Sequence, residues 1–224
     1  MSLSAPSPQA RPSSSTRAIA FSAAAALTAS RHGRPAPRAR SIMEVKTFIQ
    51  TSLHLARKDL LEKVSGLSQD ALDWHPAPHA NSIGFLVWHM ARVEDGWVNR
   101  LILRKPHLWV SDGWAKRFAM PEDMRDMGYT YTQEQITAWK SPPVSLLLEY
   151  SAAVRAATSA FLDGWNPADD GPTVKTGWGK MITVAEVFAQ LVWEMNQHGG
   201  QVAYIKGLRE GLQTPQYMGP LSTP

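Results

Sequence analysis

The sequence predicts an all-α protein, a four-helix bundle with a long crossover between its second and third helices. Three observations predict it. Four segments repeat apolar residues at the three-and-four spacing of a helix face. Each is bounded by cap or turn residues. No stretch between them shows convincing strand alternation. Helices of this kind hide their apolar stripes by packing into a bundle.

The first helix runs from about residue 45 to 65, with Ile49, Leu53, Ala56 and Leu60 on one stripe. The second starts at Ser82, whose hydroxyl suits an N-cap, and shows Ile83, Leu86, Met90, Val93, Trp97 and Leu101. The third follows Pro142-Pro143, carries Leu147, Tyr150, Val154, Ala157 and Phe161, and ends near Gly164. The fourth starts at Thr183, with Glu186 three residues on in the pattern of a capping box. Its stripe is Val184, Val187, Leu191, Met195, Val202 and Ile205, and it ends near Gly211. Residues 66–81, 105–143 and 166–182 read as connections. The crossover of 105–143 holds Trp109, Trp114, Phe118, Tyr129, Tyr131 and Trp139. A loop of that length either walls a pocket or caps the bundle end with its aromatic groups.

A chain of 224 residues suits one domain with an appendage. Residues 1–42 are rich in Ser, Ala, Pro and Arg and lack the apolar periodicity that would offset the entropy of ordering. They read as an organelle transit peptide, a secretory signal with a weak apolar core, or an upstream extension before a true start at Met43. The folded part is then 43–212, followed by a tail of 213–224. The net charge of +4 for the whole chain includes +6 from the arginines of residues 1–42, leaving −2 for the rest. A mildly acidic folded part argues against nucleic acid as a partner, because phosphate neutralisation needs clustered Lys and Arg. No stretch is long and apolar enough to span a bilayer, so no membrane partner is expected. The expected compartment is the cytoplasm, or an organelle if residues 1–42 are a transit peptide. The oligomeric state stays open between monomer and homodimer.

Cysteine is absent, which removes disulfides, thiolate ligands and a protein thiol nucleophile. The chemistry therefore falls to other groups, and one set stands out. Glu194 and His198 are four apart on the fourth helix, hence neighbours on one face. His89 lies beside the apolar stripe of the second helix, one turn from Leu86 and Val93. All three face inward or nearly so. Two imidazoles and a carboxylate form a three-ligand set for zinc, or for nickel or iron, with a position left open for water or substrate. The competing reading is a Glu–His polar contact inside the bundle, since a buried carboxylate must be paired or coordinated.

Other candidates are weaker. His75 and His79 are four apart, but Pro76 and Pro78 break any helix between them. His54 sits beside the stripe of the first helix and could approach the site. His107 follows Pro106 in a loop without a partner by spacing. Glu94 and Asp95 read as solvated or ion-paired, and Arg92 as paired at the surface rather than bound to a substrate carboxylate. Gly199-Gly200 is unusual inside a helix and implies close packing, a ligand, or an early break.

The two helices that carry these residues also resemble a known family. The run SIGFLVWHMARVEDGWVNRLI resembles the second helix of the DinB-like superfamily of four-helix metalloproteins, with His89-Met90-Ala91-Arg92 at the family's histidine motif. WEMNQHGGQVAYIKGLREG resembles its last helix, with His198-Gly199-Gly200-Gln201 in place of the usual His-Arg-Gly-Gln. The approach WHPAPHANSIG looks like the family's own. Many members have His where this chain has Glu194. The set His89, Glu194 and His198 looks like that of the mycothiol-dependent maleylpyruvate isomerase branch. The likeness covers roughly residues 44–212.

The resemblance implies a divalent-metal-dependent enzyme acting on a small-molecule substrate. The leading form is a thiol-dependent transferase or isomerase in which the metal holds a low-molecular-weight thiol as thiolate. A metal-dependent hydrolase and a non-catalytic bundle that binds metal or ligand are the alternatives. The family name derives from a damage-inducible gene and implies no DNA binding.

Overall fold

The structure, a computed structural model, describes residues 43–171 and 173–211. The expected leader of 1–42 and tail of 213–224 lie outside the described residues. In chain order the elements are α1 (Val45–Val64), α2 (Gln69–Asp73), α3 (Ile83–Asp95), a π-helical continuation (Gly96–Ile102), α4 (Leu108–Ser111), α5 (Trp114–Arg117), α6 (Gln133–Ala138), α7 (Val144–Gly164), a two-stranded ribbon of β1 (Val174–Lys175) and β2 (Met181–Ile182), and α8 (Val184–Glu210). A single 3-10 turn, Pro167–Asp169, leads into the ribbon. The long helices α1, α3, α7 and α8 are the four that the periodicity predicts.

Their boundaries follow from side-chain chemistry. Ser82 accepts a hydrogen bond from Phe85 N and starts α3. At the head of α8 the capping box is complete: Thr183 accepts from Glu186 N, and Glu186 accepts from Thr183 N. Pro143 sits at the N-cap of α7, where its missing N–H costs nothing. After α1, Gly66 takes φ of 83°, which turns the chain away.

Every residue of α3 is buried, so this helix is the centre of the bundle. It packs against α7 on one side and α8 on the other, while α1 lies against α8 and α7. Leu53, Leu86, Val93, Leu147, Val154, Leu191 and Val202 form the interior from all four helices. Burial of apolar area on this scale is the main driving force of the fold.

The structure adds detail inside the three connections. A short helix, α2, forms within 66–81, and three more, α4, α5 and α6, form within the crossover. The ribbon pairs Val174 with Ile182 and Lys175 with Met181. Two-residue strands are too short to leave an alternation in the sequence. The end of the second helix also differs from a regular α-helix: from Gly96 it widens, with Leu103 N bonding to Val98 O five residues back.

The crossover performs both roles left open for it. Trp109, Trp114 and Phe118 cluster with Tyr150 of α7, at centroid distances of 5.0–5.7 Å, and close the bundle. Tyr131 and Trp139 pack against Phe85 and Trp88 of α3. Met127 and Tyr129 line a cavity instead.

Candidate metal centre

α3 and α8 pack side by side, and their contact brings His89 to the pair four apart on α8. His89 Nε2 lies 3.0 Å and His198 Nε2 3.1 Å from the same oxygen, Glu194 Oε1. One donor atom from each of the three falls within 4.8 Å of the others. His89 is 5 % exposed and Glu194 6 %, while His198 stands at the open edge of the site.

Each histidine is held by its other nitrogen. His89 Nδ1 donates to the carbonyl of Met127 in the crossover. His198 Nδ1 lies 2.6 Å from Gln201 Oε1, one turn along α8. Such outer partners fix the tautomer and aim Nε2 at a common point. The two rings stand edge to face with centroids 5.0 Å apart. Phe85 stacks parallel to His89 at 6.0 Å, and Tyr129 meets its edge at 4.9 Å.

The arrangement asks for a cation. A neutral His89 that donates through Nδ1 presents a lone pair at Nε2, and that lone pair faces a carboxylate oxygen. Neither nitrogen contact has hydrogen-bond alignment, so Glu194 Oε1 is a buried oxygen without a formed hydrogen bond. A shared metal, or protons on both rings, would relieve this. Burial alone would raise the Glu194 carboxyl, but His198 and His89 together outweigh it and hold it at about 2. Burial likewise lowers His198, but Glu194 and Gln201 outweigh it and raise it above its ordinary value. One carboxylate oxygen and two imidazole nitrogens are donors that zinc, nickel and iron accept. The residues present therefore fit a divalent metal.

The remaining candidates separate clearly. His54 is exposed on α1 and takes no part in the cluster. His75 Nδ1 lies 2.6 Å from Ala80 O, and His79 is exposed, both in the loop before α3. Glu94 pairs with Arg155 at 2.8 Å. Arg92 corrects the expectation of surface pairing. It is 0 % exposed, donates to Asp126 O and Asp123 O at 3.0 Å each, and lies 4.5 Å over the Trp109 ring. Its long side chain reaches through the aromatic cap to tie the crossover down, which periodicity cannot reveal. Asp95, also 0 % exposed, accepts from Leu108 N and Trp109 N at the start of α4 and from Asn99 and Tyr150. α8 runs unbroken through Gly199-Gly200, and a Cβ at either would meet nothing within 4 Å. The early break does not occur, and close packing against a described residue does not explain the pair.

Sequence reasoning did not assign Met127, Tyr129, Phe85 or Gln201 to the site. Gln201, three residues from His198, was open to detection by helical spacing. Phe85, four residues before His89, was open to the same rule. The Met127 carbonyl was not, because a backbone acceptor 38 residues away leaves no trace in residue type.

Comparison with known proteins places these elements in a larger group. No curated protein matches. The crystal structure of a conserved protein from Enterococcus faecalis is 24 % identical, covering 76 % of this chain and 100 % of that one with a TM-score of 0.67, and so shares the fold. The family model described as the DinB superfamily matches residues 52–202, a span that includes His89, Glu194 and His198. By fold and by this match over most of its length, the chain belongs to the DinB superfamily.

Proposed function

We propose that His89, Glu194 and His198 hold one divalent metal, zinc first and nickel or iron as alternatives, and that the chain is an enzyme acting on a small molecule. The observation that carries this reading is the convergence of two Nε2 atoms on Glu194 Oε1 without hydrogen-bond alignment. The reaction class we favour is thiol-dependent transfer or isomerisation. The order His, Glu, His supports it by its likeness to the mycothiol-dependent branch. The absence of cysteine is compatible with it, since any thiol nucleophile must then come with a small molecule.

Bound there, a divalent metal supplies Lewis acidity and keeps a thiol in its nucleophilic thiolate form. The chain's own residues do the rest. Met127 O and Gln201 hold the imidazoles in orientation. Glu194 lowers the net charge of the centre relative to a site of three neutral imidazoles. Phe85 and Tyr129 flank the His89 ring and restrict water on those sides.

Elemental analysis of the purified chain, followed by thermal-shift titration with glutathione, cysteine and coenzyme A, tests the reading. We expect one metal per chain and a thiol-induced rise in Tm that requires the metal. Absence of metal overturns the metal reading. A metal-loaded chain that ignores thiols but hydrolyses esters or amides replaces transfer with hydrolysis.

A further inference from the structure

A cavity of about 1060 Å³ opens beside the candidate metal centre. Met127 and Tyr129 line it, and both also touch His89. Its size is at the upper end of small-ligand sites, which run to about 1,000 Å³. Trp97, Leu101 and Ile182 give it an apolar wall.

The charges around it are mostly positive. Arg100, Arg125, Lys175 and Lys180 line it against a single acid, Glu186. The Glu186 carboxylate is engaged with Thr183 N at 2.8 Å in the capping box of α8. Arg125 lies 3.8 Å from Asp123. The Lys180 charge acts on Glu186, whereas the side chains of Arg100 and Lys175 form no hydrogen bond or ion pair among the described residues. Unpaired cations around a concave apolar surface draw in anions.

A second observation lies at the floor. His107 lines the cavity and is 0 % exposed. Its Nδ1 accepts from Arg92 at 3.4 Å, because a guanidinium can only donate. The proton of the neutral ring is therefore on Nε2, and that N–H has no partner among the described residues. Burial keeps the ring neutral and lowers its pKa to about 4, opposed by the nearby Asp95 carboxylate and aided by the charges of Arg92 and Arg100. A buried donor left unpaired is costly. A Cβ at Gly96 would lie 3.0 Å from the Met127 sulfur and 3.3 Å from His107 Cε1, so both side chains neighbour Gly96, which itself lines the cavity.

We propose that this cavity binds a small organic acid, its carboxylate taken by His107 Nε2–H with Arg100 alongside and its apolar body lying along Trp97, Leu101 and Ile182 toward Tyr129. The proposal names the substrate class for the site above and rests on that reading only for which end of the acid reacts. The anion-binding end uses no candidate metal ligand, so the two can fail separately.

Calorimetric titration of the full chain tests it, with 3-phenylpropionate, octanoate and indole-3-acetate as probes, each beside its neutral amide. We expect at least one acid to bind about tenfold or more tightly than its amide, the difference an unpaired donor and cations impose. Lys175→Met/Lys180→Met, at exposed positions that leave the fold intact, should weaken the acid severalfold and leave the amide unchanged. His107→Phe should abolish the preference for the acid. Acids that bind no better than their amides, or a double lysine variant of unchanged affinity, overturn the proposal. His198→Ala separates the two readings: it should lose metal and keep the acid. A chain that takes the acid but no metal defeats the metal reading alone, and a metal-loaded chain indifferent to the acids' charge defeats this one alone.

Discussion

Asp95 Oδ2 accepts a 2.7 Å hydrogen bond from the Tyr150 hydroxyl, joining the end of α3 to the second turn of α7 inside the bundle. The same carboxylate receives two backbone N–H groups of α4 and lies 3.7 Å from Arg92. Asp95→Ala would leave the guanidinium of Arg92 buried without its counter-charge. Breaking a buried pair in this way costs about 3–5 kcal/mol. Urea unfolding monitored by circular dichroism should show that loss, whereas Lys58→Ala, which removes an exposed pair, should change stability by less than about 1 kcal/mol. Equal effects from the two would mean that the network carries no special weight.

Gln201 offers a finer test of the metal centre. Its side-chain oxygen lies 2.6 Å from His198 Nδ1. Outer partners of metal-bound histidines typically contribute about 10–100-fold in affinity. Gln201→Ala should therefore weaken zinc binding by that order, measured by competition with a chelator, while the helical signal stays unchanged. Gln201→Glu should restore it, since a carboxylate also accepts from Nδ1. Unchanged affinity in both variants would remove Gln201 from the site.

The four helices and the inward placement of His89, Glu194 and His198 were legible in the sequence because helical spacing fixes both. Val184, Val187 and Leu191 mark the buried face of α8, and Glu194 and His198 continue it. Arg92 was misread because its neighbours on the stripe say nothing of Asp123 and Asp126, which reach it from the crossover. The π segment, the ribbon and the carbonyl of Met127 were not legible either. Each depends on backbone geometry that only packing sets.

Substitutions at the three residues distinguish a metal centre from a polar contact. His198→Ala should abolish tight metal binding, since two protein ligands seldom hold zinc firmly. Glu194→His should retain metal, because an imidazole on the same helical face restores a three-ligand set, but it should change any reaction rate by making the centre more positive. His54→Ala should do nothing, as His54 is exposed on α1 and outside the cluster. Elemental analysis of the four proteins gives the answer. Metal lost in Glu194→His yet kept in His198→Ala would show that Glu194 and His198 are only a structural pair.

The stability of the metal-free chain and the increment that metal adds to it should respond to pH in opposite senses. In the metal-free chain the Glu194 carboxyl is held at about 2, below its ordinary value, so its contribution to stability is present above the usual carboxylate range and is lost as pH falls toward about 2. His198 is raised, so its contribution is complete below its ordinary value of 6.5 and is lost as pH rises through the folded value. Stability from this pair is therefore greatest in mildly acidic solution. Metal binding needs the rings deprotonated and strengthens as pH rises. Thermal unfolding between about pH 5.5 and 8.5, with chelator and with zinc, should show the metal-free Tm falling while the increment from zinc grows. An increment that shrinks with rising pH would mean the cation binds elsewhere, away from His89 and His198.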